Sequence, residues 1–229
     1  MCYPNNGCYA MKKLNAATRI LIVDDHPMMR DGLKMRISSQ LDMEVCGDAS
    51  TEEQAFEAFR QLNPDVVTID IALKQGNGIE LVKRIKAVDP KVKMLMVSAF
   101  QESLYAERAM RAGANGYVNK QESDKTIIDA IRVVMKGERY VSEEMTQRLV
   151  SQALGKRSET QNPIELLSDR ELEIFRLIGA GLTTGAIAEQ LFLSTHTIDT
   201  HRENIKRKLG AKTGAELSRR AIQAMLESV

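Results

Sequence analysis

The chain has 229 residues, with 32 Lys plus Arg against 31 Asp plus Glu and a formal net charge of +1, which excludes a histone-like basic protein and an acidic buffer protein. A nucleic-acid partner stays open, because a small basic face fits inside a neutral total. Hydrophobic residues make up 43% and charged residues 28%, a globular balance, and no apolar run approaches the roughly 18 residues that span a bilayer. Residues 1–18 read as a polar leader with neither the charged start nor the apolar stretch of a signal peptide. A cytoplasmic protein with no membrane association is expected.

Three cysteines (Cys2, Cys8 and Cys46), no Cys-x-x-Cys, and three histidines (His26, His196 and His201) cannot supply a zinc site. Cys46 reads as a buried core residue and His26 as a solvated residue at a helix start. From Arg19 onward, short apolar runs alternate with helical patterns. Ile20 to Val23 is a buried strand run that ends in Asp24-Asp25. Met29, Leu33 and Ile37 then mark one helical face. Val45 and Cys46 suggest a second strand, and Ala55, Phe56 and Phe59 an inward helix face. Val66 to Ile69 ends in Asp70, Met94 to Val97 in Ser98, and Gly116 to Asn119 in Lys120, each followed by a helical pattern. Five strands alternating with five helices imply a doubly wound, five-stranded parallel (βα)5 sheet.

The alternation stops near Gly137. Residues 138–163 read as a linker carrying one helix from about Ser142 to Ala153, with a polar stretch after it. Residues 164–229 are helical throughout. Ser168-x-x-Glu171 and Thr213-x-x-Glu216 are capping-box patterns, and Gly181 and Gly210 are helix stops. The expected order is therefore an α/β domain over 19–137, the linker, and an all-α domain over 164–229.

In an open parallel sheet the working site lies at the carboxyl ends of the strands. Those ends carry Asp24, Asp25, Asp70, Ser98 and Lys120. Converging carboxylates raise one another's pKa unless a cation sits among them. All-oxygen ligands with open positions suit Mg²⁺, which binds phosphate oxygens well. A lysine and a hydroxyl alongside can hold the remaining phosphoryl oxygens, and a carboxylate such as Asp70 can form an acyl phosphate.

This set resembles the receiver domain of bacterial two-component response regulators, from Arg19 to Gly137. The likeness rests on Ile-Leu-Ile-Val-Asp-Asp at 20–25, Asp70 with Gly78 eight residues on, Val97-Ser98-Ala99, and Gly116-Tyr117-Val118-Asn119-Lys120. It implies that Asp70 receives the phosphoryl group. It also implies that Asp25, Asp70 and the Ala72 carbonyl bind Mg²⁺ with Asp24 helping through water, and that Ser98 and Lys120 contact the phosphoryl oxygens. Tyr117 fits both a core residue and the aromatic that changes rotamer on activation. The chain departs from the family at Lys74, where Pro is usual.

In the helical part, Ile198, Ile205 and Leu209 fall on one stripe of a helix that starts after Ser194. His196, Thr200, Glu203 and Arg207 fall opposite, with Asp199 at the flank. Arg202, Lys206, Arg207, Lys208 and Lys212 give five positive charges against Glu203 alone over 202–212. Leu182 to Leu193 reads as the shorter helix before it and Phe192-Leu193-Ser194 as the turn, completing a helix-turn-helix layout. The stretch from Ile164 onward looks like the LuxR-type helix-turn-helix of the NarL/FixJ response regulators. The matches run through Leu167-Ser168, Gly181-Leu182-Thr183, Ile187-Ala188 and Ser194-x-x-Thr197-Ile198 to Leu209-Gly210. By that resemblance Asp199, Thr200 and Glu203 face bases, with His196 beside them on the binding face. Thr197, Arg202, Lys206, Arg207 and Lys208 contact phosphates, and His201 is structural.

The expected function is a phosphorylation-switched, DNA-binding regulator in a bacterial cytoplasm. Its partners are a sensor histidine kinase, double-stranded DNA and a second copy of itself. It is not an enzyme beyond catalysing its own phosphorylation and dephosphorylation at Asp70. An aspartyl-phosphate hydrolase is the first rival, but it needs a second acidic residue where this chain has Ala72. A DNA-binding protein with an unresponsive receiver is the second. The resting receiver is expected to lie against the recognition helix, hiding Thr200 and Glu203, until phosphate pulls Ser98 and Tyr117 inward.

Overall fold

The computed structural model describes residues 17–154 and 162–226. Most of the expected leader, with Cys2 and Cys8, and the polar stretch 155–161 of the linker lie outside the described residues. The apolar runs form β1 (Thr18–Val23), β2 (Met43–Ala49), β3 (Val66–Ile69), β4 (Lys93–Ser98) and β5 (Gly116–Asn119). They make one sheet, ordered β2-β1-β3-β4-β5, with every neighbouring pair parallel. The crossovers are α1 (Pro27–Ser38), α2 (Glu52–Leu62), α3 (Gly78–Val88) and α4 (Glu102–Ala112), and α5 (Asp124–Met135) follows β5.

Strand side chains alternate between two buried faces, as a parallel sheet requires. Ile20, Ile22, Leu95 and Val97 pack under α1 and α5 through Leu33, Ile37, Ile127 and Ile131. Leu21, Val23, Ile69 and Met96 pack the other way, with Phe59, Val82, Ile85 and Ala109 of α2, α3 and α4. Each buried Ile or Leu contributes about 1.5–3 kcal/mol relative to exposure. The strand order reverses between β1 and β3, so their carboxyl ends open a crevice there.

Beyond β5, Tyr140 bridges to Gly116 and covers the sheet edge, and α6 (Glu143–Ala153) follows. A 3-10 turn at Pro163–Leu166 then leads into α7 (Asp169–Gly179), α8 (Thr184–Gln190), α9 (Thr195–Leu209) and α10 (Gly214–Leu226). Ser168 and Glu171 form the reciprocal capping box of α7. At α10 only half of the expected box forms: Thr213 accepts from the Glu216 N–H, but the Glu216 carboxylate accepts from Lys212 instead. The helix α8 starts later than expected, at Thr184, because Thr183 caps it by accepting from the Ala186 N–H, and it ends before the expected turn, where Phe192 takes φ +54°. Cys46 is half-buried rather than buried.

The two units touch through α7, which sets its N-terminal end against α3 and α4. Arg108 of α4 donates to Asp169 Oδ1 at 2.9 Å and to the carbonyls of Glu165 (3.1 Å) and Leu167 (2.6 Å). Lys83 of α3 reaches Asp169 Oδ2 at 3.2 Å, and the Arg176 guanidinium lies 5.3 Å from the Phe100 ring centroid. Thr200 and Glu203 are exposed. The expectation that the receiver covers the recognition helix is thus corrected: it holds α7, whose Asp169 end gives Arg108 and Lys83 a carboxylate.

Candidate functional site

The site is built on the last residue of β4, Ser98, and on the residues that follow β1, β3 and β5. The Asp24 N–H donates to the Ala49 carbonyl (3.1 Å), Asp70 to Val23 (2.8 Å) and Lys120 to Ser98 (2.9 Å). The sheet ladder thereby fixes the backbone from which the polar side chains project into the crevice. Ser98 Oγ donates to Asp70 Oδ1 at 2.7 Å, and Lys120 Nζ lies 2.6 Å from Asp70 Oδ2 and 2.7 Å from Asp24 Oδ2. Asp24 also accepts from the His26 N–H at 2.8 Å. Asp24, Asp70 and Ser98 are all buried, at 2%, 3% and 0% exposure.

Burial lifts the Asp70 carboxyl above the ordinary carboxylate range, and Lys120 and Ser98 pull it back only in part. Burial works to lower Lys120, but Asp70 and Asp24 outweigh it and hold the ammonium above its usual value. One oxygen each from Asp24, Asp25 and Asp70, with a His26 nitrogen, lie within 4.8 Å of one another. Three hard carboxylate ligands gathered so closely fit a small divalent cation of the Mg²⁺ type. Ala72 is held in the loop after β3 by its bridge to Asn77. Lys74 is exposed, and its N–H donates to the Ser50 carbonyl at 3.3 Å.

Tyr117 is 1% exposed, and its hydroxyl donates to the Phe100 carbonyl at 2.8 Å. Burial drives its phenol pKa well up. Ser98 and Tyr117 already point inward, so the expected inward pull on them has no room to act.

On α9 the apolar stripe of Ile198, Ile205 and Leu209 is buried, while His196, Asp199, Thr200, Glu203 and Arg207 are exposed. Ser194 caps the helix by accepting from the Thr197 N–H at 3.0 Å, and Gly210 ends it with φ +66°. Thr197 Oγ1 lies 2.8 Å from Ser194 Oγ, Arg202 is half-buried, and Lys206 pairs with Glu203 at 2.7 Å. Lys208 is turned away from the outer face to Glu171 Oε2 at 2.6 Å, a bond between α9 and α7 rather than an outward cation. His201 is half-buried, with Nδ1 lacking a hydrogen-bond partner. The sequence reading missed Asn77, Lys83, Arg108, Asp169, Glu173 and Arg176, polar residues of the interdomain contact. Nothing local marks them, since each reads as an ordinary surface polar group until the other unit is beside it.

A carboxylate, hydroxyl and lysine at successive strand ends, joined to an exposed recognition helix, define a response regulator with a DNA-binding output. Residues 20–132 match the response regulator receiver domain family, and residues 165–221 match the LuxR family of bacterial regulatory proteins. The chain belongs to the response regulators with a LuxR-type helix-turn-helix, the DNA-binding regulators of two-component systems. It is 35% identical over 213 residues to the oxygen regulatory protein NreC of Staphylococcus aureus (strain MRSA252), covering 91% of this chain and 98% of that protein. A LuxR-family two-component response regulator from Aurantimonas sp. SI85-9A1 is 30% identical, covers 61% of this chain and 99% of its own, and superposes with a TM-score of 0.56. RcsB from Salmonella enterica serovar Typhimurium, bound to promoter P1flhDC in the presence of the phosphomimetic BeF3-, shares the fold. Its TM-score is 0.68 at 22% identity, over 93% of this chain and 98% of RcsB. Among the described residues no helix is long and apolar enough to cross a membrane.

Proposed function

We propose that Asp70 accepts a phosphoryl group from a sensor histidine kinase, and that the phosphorylated chain binds double-stranded DNA as a homodimer to control transcription in the cytoplasm. The observation that carries this reading is the buried Asp70 carboxylate held between Ser98 (2.7 Å) and Lys120 (2.6 Å). An Asp70 oxygen attacks phosphorus while the bond from phosphorus to the donor imidazole nitrogen breaks, and the electron pair leaves with the imidazole. The product is a mixed anhydride. Lys120 and the Ser98 hydroxyl, which hold the Asp70 oxygens, are in reach of the incoming phosphoryl oxygens and neutralise charge there. Mg²⁺, held by Asp24, Asp25 and Asp70 with the Ala72 carbonyl, supplies further charge neutralisation when bound. The protein's chemistry on its own phosphoryl group is this transfer and the later hydrolysis, in which water attacks phosphorus, the Asp70 carboxylate leaves and inorganic phosphate is released.

For DNA, exposed Asp199, Thr200 and Glu203 with His196 present the base-reading edge, and Arg202, Lys206 and Arg207 with Thr197 flank it for phosphates. Lys208, paired with Glu171, ties α9 to α7 instead of joining this edge. Ile222 and Leu226 of α10 are 46% and 73% exposed, an apolar face suited to a second copy across a two-fold half-site. The test is incubation with Mg²⁺ and a small acyl phosphate. The expected outcome is one added phosphoryl group, labile to hydroxylamine and absent in Asp70→Asn. Equal labelling of Asp70→Asn overturns the assignment.

A further inference from the structure

The loop that follows the phosphoacceptor reaches the DNA-binding unit directly. Gly78 lies so close beneath Asp70 that a Cβ there would fall 2.0 Å from the Asp70 carbonyl oxygen, and its N–H donates to the Ile71 carbonyl at 2.9 Å. Asn77, one residue earlier, is bridged to Ala72. Any shift of the backbone at 70–72 is therefore passed to Asn77. The Asn77 side chain works in two directions. Its Oδ1 accepts from the Ile79 N–H at 2.8 Å and caps α3, while its Nδ2 donates to Glu173 Oε1 of α7 at 3.0 Å. Glu173 is 8% exposed, and its second oxygen accepts from Arg170 at 2.6 Å. Arg170 in turn donates to the Leu191 carbonyl at 3.1 Å, where α8 ends and the turn into α9 begins. The phosphoacceptor loop and the helix-turn-helix turn are thus joined by consecutive polar contacts that bypass Ser98, Tyr117 and α4.

Resting on the phosphorylation reading above, we propose that Asn77 is the positioning residue through which the phosphoacceptor loop holds α7. Phosphorylation at Asp70 moves this loop, the Asn77–Glu173 bond breaks, and the DNA-binding unit, left with contacts such as those of Arg108 and Lys83, separates more readily. A hydrogen bond to a buried carboxylate suits this task. It is stronger than a neutral one, it weakens steeply once the donor leaves bonding range, and its loss leaves Glu173 short of a partner. The bond biases the switch only because it differs between the two states.

The test uses the full chain and the variant Asn77→Asp. Asp keeps the cap of α3 but sets a second carboxylate against Glu173. DNA affinity is measured with and without acyl phosphate, beside the extent of labelling at Asp70. Asn77→Asp is expected to label like wild type and, without phosphate, to bind DNA about tenfold more tightly than wild type, a change of about 1.4 kcal/mol. Adding Glu173→Gln, whose amide can donate to Asp at 77, is expected to restore the wild-type response. If wild type responds to phosphate and Asn77→Asp responds identically, this inference falls while the functional reading stands. An increase that Glu173→Gln does not reverse also overturns it, because the effect then belongs to α3. If wild type labels but its DNA binding ignores phosphate, the functional reading falls and takes this inference with it.

Discussion

Lys120 is the residue on which the receiver's resting electrostatics turn. It is 12% exposed and touches two nearly buried carboxylates, Asp24 at 2.7 Å and Asp70 at 2.6 Å. Without it, two like charges share a low-dielectric crevice. Lys120→Ala is expected to destabilise the chain by about 3–5 kcal/mol in chelator, the cost of leaving buried charge unpaired. Added Mg²⁺ should recover part of that loss, because the same oxygens bind it. Thermal melts with and without the cation check both halves, and a variant as stable as wild type in chelator would refute the role given to Lys120. Cationic side chains also differ by where they point. Arg207 is exposed, whereas Lys208, two-thirds covered, is tied to Glu171.

At the scale of elements, the Lys208–Glu171 pair fastens α9 to α7. Burial raises the Glu171 carboxyl, but the bonds from Lys208 and Ser168 outweigh it and hold it below its ordinary 4.5. A depressed folded-state pKa contributes stability that is complete above the unfolded value and is lost as pH falls through the folded one. Lys208→Ala is therefore expected to cost about 1–3 kcal/mol at neutral pH and to flatten the stability profile on the acid side of 4.5. Denaturant melts across pH read this out, and nonspecific DNA affinity at fixed salt should fall less than for Arg207→Ala. The strands were legible because a buried parallel sheet imposes short apolar runs, as at Ile20–Val23 and Met94–Val97. Asp24, Asp70, Ser98 and Lys120 were legible because each closes such a run. The direction of Lys208 was not, since its partner lies 37 residues away and the helical stripe places it at a boundary. The late start of α8 escaped for a different reason: Thr183, which caps it, is followed by Thr184, and either threonine could have served as the cap.

Over the whole molecule, Arg108 is the largest single fastening between the units, bonding Asp169 and two carbonyls of the segment that leads into α7. Its side chain is 15% exposed and that of Asp169 is 40% exposed, so the contact is worth far less than a buried pair and can open. Arg108→Ala is expected to extend the unphosphorylated chain, seen as a larger radius of gyration in solution scattering, with Asp70 labelling unchanged. Burial raises Asp169, but Arg108 and Lys83 outweigh it and hold its carboxyl below the ordinary 3.8. The closed form of wild type should accordingly persist down to about that pH and loosen below it. Scattering curves that are identical for wild type and Arg108→Ala would show that Arg108 does not hold the units together.

The open face of α9 carries a kinetic consequence. Because Thr200, Glu203 and Arg207 are exposed while α7 is held, the resting chain meets duplex with its reading edge uncovered. Encounter and sliding along DNA depend on charge rather than on the second copy. Search speed should then be common to the resting and activated forms. What changes on activation is dwell time at a paired half-site, where two chains joined through the exposed face of α10 must both let go before either diffuses away.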